Sequence, residues 1–321
     1  MIVRWGIDGL EPLLSELAVS RPFVFAGERF SVLPLEPHGR WTELPTDRIA
    51  AASVAARGAD GLVALGGGST IDTAKAVSSE LSLPLVSVPT TYSGAEWTAF
   101  YGIRDPDRLL RGGGAGALPT GIVYEPRLSL DLPSADTVGT ALNALAHCAE
   151  ALYVKERNDE ADRHALEGAR LISTWLPRVV AGDGDRLEAR TELLRGACEA
   201  GAALAGSMLG LGHALAQALG GRYGLPHGAL NALCLPPALR FNAEVAGAAV
   251  ARFGRALGTD DPASRVEELA RLGGFELLRA LGVPEAELGE LAEAVISRAG
   301  AKSNPRQASA AEVEELLRSI W

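Results

Sequence analysis

Cysteine is scarce in this chain: Cys148, Cys198 and Cys234 are the only three in 321 residues. An odd number without a CxxC spacing indicates neither a disulfide framework nor a zinc–thiolate site. Excess positive charge is missing as well. A net charge of −10, with an isoelectric point near 5.1, argues against a general affinity for nucleic acid or anionic membrane. No apolar run reaches the length of a membrane span, since the long stretch 196–221 is rich in small residues and interrupted by Glu199, His213 and Gln217. The opening MIVRWGIDGLEP has no basic segment followed by an apolar one. No internal repeat is visible. The expectation is an acidic cytoplasmic protein with neither a nucleic-acid nor a membrane partner.

What the chain has in quantity is apolar residues, 47% of the total, enough for a large core. Its length suggests about two domains. Leu10–Val19 reads as a short helix. Pro22–Gly27, Gly61–Leu65 and Pro84–Pro89 are short apolar runs of the kind that form buried parallel strands. Between them, Asp47–Gly58 reads as a helix capped by Thr46 or Asp47, and Ile71–Leu81 as another; the passage from Gly27 to Asp47 is irregular and proline-rich. This alternation predicts an α/β layer with a parallel sheet. Gly112–Gly116 reads as a loop, Gly121–Tyr124 as a strand and Glu125–Pro133 as an extended exit. Beyond Pro133 the alternation stops. Ser134 or Asp136 starts a helix through Asn143, His147 and Tyr153, and helical patterns continue to Trp321. Breaks are expected at Gly182–Gly184, at Gly220-Gly221 with Pro226, from Gly258 to Pro262, and at Pro305. The domains are therefore expected at 1–133, α/β, and 134–321, all-α.

Three stretches carry candidate chemistry. Gly66-Gly67-Gly68-Ser69-Thr70 follows a strand and opens a helix that contains Asp72 and Lys75. Glycines let backbone N–H groups approach an anion, and a helix N-terminus adds partial positive charge. It is neither a GxGxxG fingerprint nor a Walker loop, and a ligand-free turn shares the pattern. Next, the hydroxyls of Thr90, Thr91, Ser93 and Thr98 follow the neighbouring strand, where open parallel sheets bind ligands. Last, Gly210–Asn242 is Gly-rich and apolar, holds His213 and His227, and carries charge only at Arg222 and Arg240. Buried imidazoles need a partner, a ligand or a role. Asn143 and His147 share a helix face at i and i+4, and His213 and Gln217 repeat that spacing. One amide and three imidazoles could converge like a metal site, but Asn143 is a neutral, weak ligand where a carboxylate is usual.

Four ordered motifs carry a resemblance. They are GGGSTIDTAK, PTTYSGAEWT, LNALAHCAEALY and GHALAQALGGRYGLPHGALNALCLPPALRFN, which together resemble the iron-containing (group III) alcohol dehydrogenase family and its dehydroquinate-synthase-like relatives. Within the family, PTTYSG, VYEPRLSLDLP and NALAH with Asn143 are similar to maleylacetate reductases. The resemblance implies a Rossmann-like N-terminal domain, a helical C-terminal domain, a cleft holding NAD(H) or NADP(H), and a homodimer. Phosphate and ribose contacts would come from Gly66, Gly67, Gly68, Ser69, Asp72, Lys75, Thr90, Thr91, Ser93 and Thr98. The family's metal positions fall on Asn143, His147, His213 and His227, and no metal is expected because Asn143 replaces the usual Asp. Two departures stand out. Gln217 occupies a position that is usually a proton-relaying histidine. Gly27 stands where many relatives place a ribose-binding Asp, with Glu28 beside it, so NAD and NADP stay open.

The expected reaction is hydride transfer from a dihydronicotinamide to the conjugated double bond of an oxo acid, as in reduction of maleylacetate to 3-oxoadipate. Catalytic residues would be Asn143, His147, His213, His227 and Gln217, with His213 or His227 giving the proton. A dicarboxylate substrate also calls for arginine, from Arg222, Arg104, Arg108 or Arg111. The alternatives are a metal-dependent alcohol dehydrogenase and a non-redox lyase or cyclase on the same fold.

Overall fold

The computed structural model describes residues 1–30 and 35–321, so part of the proline-rich passage, 31–34, lies outside the described residues. The chain forms two compact units, Met1–Asp131 and Leu132–Trp321. No helix among the described residues is long and apolar enough to cross a membrane.

The first unit is a parallel α/β sheet. Six strands, β1 (Ile2–Trp5), β2 (Pro22–Ala26), β3 (Gly39–Trp41), β4 (Gly61–Gly66), β5 (Leu85–Pro89) and β8 (Gly121–Tyr124), run in the order β1-β8-β5-β4-β2-β3, with every pair parallel. The runs that look uniformly apolar in sequence divide by the two-residue period of a strand. Val24, Ala26, Val63, Leu65, Val86 and Val88 pack with Leu10, Leu13 and Leu14 of helix α1 (Leu10–Glu16) on one face. Phe23, Phe25, Leu62, Ala64 and Leu85 pack on the other face, against α2 (Ile49–Ala55) and α3 (Gly68–Leu81). Both faces of the inner strands are covered, which is why β2, β4, β5 and β8 carry no charged residue.

Three local expectations need correction. The Gly112–Gly116 segment is not a simple loop: β7 (Leu110–Gly114) pairs antiparallel with β6 (Tyr101–Arg104). Its glycines make room, since a Cβ at Gly114 would lie 2.6 Å from Cζ of the Tyr101 ring. Glu125–Pro133 is not extended throughout, because Glu125 accepts from the N–H of Arg127 and of Ile7 and folds Pro126–Ser129 into a 3₁₀ turn. Helix α2 starts only at Ile49, with Thr46 Oγ1 accepting the Arg48 N–H before it.

The second unit is entirely helical: α4 (Ser134–Ala151), α5 (Asp159–Ala181), α6 (Arg186–Ala205), α7 (Leu211–Tyr223), α8 (His227–Leu257), α9 (Pro262–Arg271), α10 (Leu288–Ile296), α11 (Ala299–Ser303) and α12 (Ala310–Ser319). Glycines in the left-handed region stop α5 at Gly182, α7 at Gly224 and α8 at Gly258. Gly220 and Gly221 do not break the chain but lie inside α7. Neither Ser134 nor Asp136 caps α4. Its first turn is instead tied by Thr137, which bonds the carbonyl of Leu132, and by Arg190, which bonds both.

Helix α4 is buried on nearly every side, and small residues allow its neighbours to approach. Gly228 on α8 faces Gly139 on α4 so closely that a Cβ at Gly228 would sit 2.6 Å from the Gly139 carbonyl oxygen. Gly228→Ala would therefore force these two backbones apart, with an expected loss of at least about 1–3 kcal/mol of stability. Urea denaturation measures it, and an unchanged midpoint would contradict the close α4–α8 contact.

Candidate active site

In the first unit, β4 ends at Gly66 and α3 begins at Gly68, with Gly67 as an N-cap that provides no side-chain acceptor. The amides of the first turn are thus left without a capping side chain. The glycines let a second segment close on this turn. A Cβ would fall 2.7 Å from Thr70 Cβ at Gly66, 3.1 Å from Thr91 Cγ2 at Gly67 and 3.3 Å from Ser93 Oγ at Gly68. Gly66, Gly67, Gly68 and Ser69 are therefore gathered with Thr91 and Ser93, whose hydroxyls lie 3.4 Å apart. Thr90 ties the two segments by donating its N–H to the Gly66 carbonyl (3.0 Å), and its buried hydroxyl has no partner.

Lys75 departs from the expected role. It is fully buried, and its ammonium donates to the carbonyls of Ala95 and Phe100 and lies 3.3 Å from the hydroxyl of Thr98. Asp72 accepts from the N–H of Gly102 and lies 3.7 Å from Lys75. Burial raises the Asp72 carboxyl and lowers the Lys75 ammonium from their ordinary values, while each opposes the shift of the other. Lys75, Asp72 and Thr98 thus brace the polar segment and hairpin β6–β7.

The second unit brings the imidazoles together. His147 on α4 stacks on His213 of α7 with centroids 4.7 Å apart and planes 12° from parallel, and His227, the first residue of α8, lies 5.8 Å from His213. Gln217 sits one turn beyond His213, half-buried. The organiser of this group is Glu150, a fully buried carboxylate on α4. It accepts from the N–H of Gly210 (2.6 Å), the N–H of His213 (3.0 Å) and His213 Nδ1 (2.6 Å). Helix α7 has no side-chain cap of its own, so Glu150 caps it from another helix and at the same time orients His213. With Nδ1 held on Glu150, the other ring nitrogen of His213, Nε2, is buried without a partner. Burial, and the neighbouring His213 and His227, hold the His147 pKa well below its ordinary value, and its Nδ1 is also buried without a partner.

Asn143 is not aimed at a ligand. Its Oδ1 accepts from Nδ2 of Asn231 on α8 at 2.6 Å, and Asn231 also reaches back to the His227 carbonyl. The oxygen that would ligate a divalent ion is engaged and uncharged. Among the described residues, no three His, Cys, Asp or Glu side chains form a metal-holding group. With a neutral amide at Asn143 in place of a carboxylate, the three imidazoles make a weaker donor set for a divalent cation. The arginines named for a dicarboxylate are also committed. Arg222 bonds Glu287 and Glu290, Arg111 bonds Asp105, and Arg104 bonds the Arg108 carbonyl. Arg108 is exposed at the tip of the hairpin.

Glu150 and Asn231 escape a reading by histidine spacing. The available signal was a carboxylate at 150 in an otherwise apolar helix, three residues after His147 on the same face. Asn242 and Asn304 form a second buried amide pair, each donating to the other (3.0 and 2.7 Å), and Asn304 Oδ1 also accepts the N–H of Leu211.

Comparison with known proteins finds two matching family models: iron-containing alcohol dehydrogenase over residues 42–117, and the C-terminal part of the Fe-containing alcohol dehydrogenase family over residues 137–321. A maleylacetate reductase from Burkholderia cepacia is 42% identical over 228 residues, 71% of this chain and 64% of that protein, so the match spans just under two thirds of its length. One from Sphingobium indicum is 36% identical over 85% of this chain and 78% of its own. Among solved structures, a putative alcohol dehydrogenase from Ralstonia eutropha superposes with a TM-score of 0.91 at 32% identity, covering 100% of this chain and 95% of that one. A maleylacetate reductase from Rhizobium sp. gives 0.89 at 28% identity, covering 100% and 95%.

Glu150→Gln leaves one acceptor where three N–H groups converge. Its expected effect is a fall in kcat of about 10–100-fold with a smaller change in KM, read from steady-state rates. An unchanged kcat would remove Glu150 from its orienting role. His147 also sets a pH dependence. Its proton is bound more weakly in the folded than in the unfolded chain, so stability is retained above the ordinary imidazole value of 6.5 and lost as pH falls below it. The slope is about 1.4 kcal/mol per pH unit, down to the lowered folded value. Urea midpoints between neutral and mildly acidic pH should fall less steeply in His147→Gln, and equal slopes would contradict the assignment.

Proposed function

Because the chain belongs to the iron-containing alcohol dehydrogenase family, we propose that it is an NAD(P)H-dependent reductase of the maleylacetate reductase type. Its substrate is an oxo dicarboxylic acid with a carbon–carbon double bond conjugated to the keto group, such as maleylacetate, which it converts to 3-oxoadipate. The observation that carries the reading is the stacked imidazole group oriented by Glu150, with the neutral amide of Asn143 in place of a carboxylate.

The dinucleotide, when bound, supplies a hydride from its dihydronicotinamide. In the first unit, the backbone of Gly66, Gly67 and Gly68 with the hydroxyls of Ser69, Thr91 and Ser93 would hold its phosphates. In the second unit, His213 and its neighbours would hold the substrate keto group. As hydride adds to the alkene carbon, the electron pair moves to the keto oxygen, and a hydrogen-bond donor held in place beforehand lowers the energy of that charge. Glu150 suits His213 to this work, because a carboxylate bonded to Nδ1 holds the ring in one orientation. His147, whose pKa is held down by burial, stays neutral beside it. A proton delivered to the second alkene carbon completes the saturated oxo acid, with His213 or His227 as its source. Gln217 can only hydrogen-bond, so no proton passes through it. The reaction is metal-free in this reading.

Titration of the protein with NADH and NADPH, followed by nicotinamide fluorescence, should show saturable binding of at least one. Binding of neither would move the chain to a non-redox role. Protein dialysed against chelator should keep its maleylacetate-dependent oxidation of NAD(P)H. Loss of activity restored by Fe(II) or Zn(II) would instead establish a metal-dependent dehydrogenase.

A further inference from the structure

We propose that Asn304 is a positioning residue for the imidazole group: by accepting the N–H of Leu211 it fixes the first turn of α7 and, through it, the ring of His213; its catalytic consequence rests on the reductase reading. Helix α7 is poorly equipped to fix its own start. Gly210 at its N-cap offers no side-chain acceptor, and Gly212 in the first turn is the residue type that loses most conformational freedom on ordering. The turn is therefore held from outside. Glu150 takes the N–H groups of Gly210 and His213, and Asn304 Oδ1 takes that of Leu211 between them, at 3.3 Å.

The Asn304 amide is fully buried and uses its whole hydrogen-bonding capacity. Nδ2 donates to Asn242 Oδ1 and to the Arg306 carbonyl, both at 2.7 Å. Oδ1 accepts from Asn242 Nδ2 and from the N–H of Leu211. Turning the amide over would set Oδ1 against the Arg306 carbonyl and Nδ2 against the Leu211 N–H. Only one orientation is therefore permitted, and it presents a fixed acceptor to α7.

Both outside ties are anchored at the same end of α4. Glu150 is the residue before Ala151, the last of α4, and the chain turns there, with the N–H groups of Tyr153 and Val154 donating to the Glu150 carbonyl. Lys155, the next residue, donates its N–H to the Ser303 carbonyl (3.0 Å) and its ammonium to the Lys302 carbonyl (2.5 Å). Ser303 Oγ donates in turn to Glu156. Glu150 and Asn304 thus stand on one hydrogen-bonded frame, and the first turn of α7 is set against it. Without the Asn304 oxygen, the buried Leu211 N–H has no acceptor, and the turn that carries His213 is free to move off Glu150. A misplacement near 1 Å at a reacting group lowers a rate by up to about 100-fold.

Asn304→Ala should lower kcat for maleylacetate about 10–100-fold and leave KM within about 3-fold of the wild type. In protein carrying isotope-labelled histidine, the Nδ1 resonance of His213 should shift in this variant. That of His164, paired with Glu199 at 2.5 Å between α5 and α6, should stay in place. Asn304→Asp keeps an acceptor for Leu211 and should recover part of the lost kcat. Arg306→Ala controls for stability alone. It removes the ion pair with Glu312 and the stack on Phe241 but keeps the Arg306 carbonyl, so it should melt earlier with kcat unchanged. Thermal melting checks that each variant folds, and Asn304→Ser takes the place of Asn304→Ala if the latter does not. An unchanged kcat, an unmoved His213 resonance, or a kcat that falls equally in Arg306→Ala would overturn the assignment. Absence of NAD(P)H oxidation with maleylacetate in the wild type would instead remove the reductase reading, and the His213 resonance would still test the positioning.

Discussion

A single buried carboxylate holds the helical unit's chemistry in place. Glu150 is surrounded by apolar residues of α4, and its removal from water is tolerable only because three N–H donors compensate it. Two of those donors are backbone amides at the start of α7, so the same bonds that stabilise the carboxylate also begin the helix. The third is the His213 ring. Charge-assisted hydrogen bonds of this kind contribute about 1.5–3 kcal/mol each, enough to fix a tautomer and a ring orientation together. The stacking of His147 on His213 then follows from where α4 and α7 meet.

Amide pairs extend this arrangement across the remaining helices. Asn231 links α8 to Asn143 on α4, and Asn242 with Asn304 links α8 to the segment that continues from α11 and to the first turn of α7. Each pair is buried, so its bonds are made within the protein rather than to solvent, and Asn231 Oδ1 is left without a partner. These bonds are reachable only because glycine or alanine stands at the crossing points, as at Gly139 against Gly228 and Gly300 against Gly210. Small residues allow the approach, and polar residues then decide the register.

The first unit uses glycine for a different purpose. Gly66, Gly67 and Gly68 leave room for the Thr90–Ser93 segment to fold over the start of α3. Lys75, for which the sequence leaves open a phosphate contact or pairing with Asp72, anchors the far side of that segment through backbone carbonyls and lies 3.7 Å from Asp72. A lysine nine residues beyond the last strand residue, Gly66, faces whatever the helix packs on. In α3 that is protein interior.

Much was legible before any coordinates. The short, continuous apolar runs at Pro22–Gly27, Gly61–Leu65 and Pro84–Pro89, each followed by a turn, dictate a parallel sheet covered on both faces, because no polar side is available for water. The change to helical spacing after Pro133 dictates an all-helical second part, and the motif order identifies the family. Other features depend on contacts between residues far apart in the chain. No local pattern links Glu150 to Gly210, or Asn143 to Asn231. Apolar periodicity is local, so the sequence alone determined the elements and their buried faces. The partner of a buried polar group is chosen by which helices cross and how closely, and only the tertiary structure decided that.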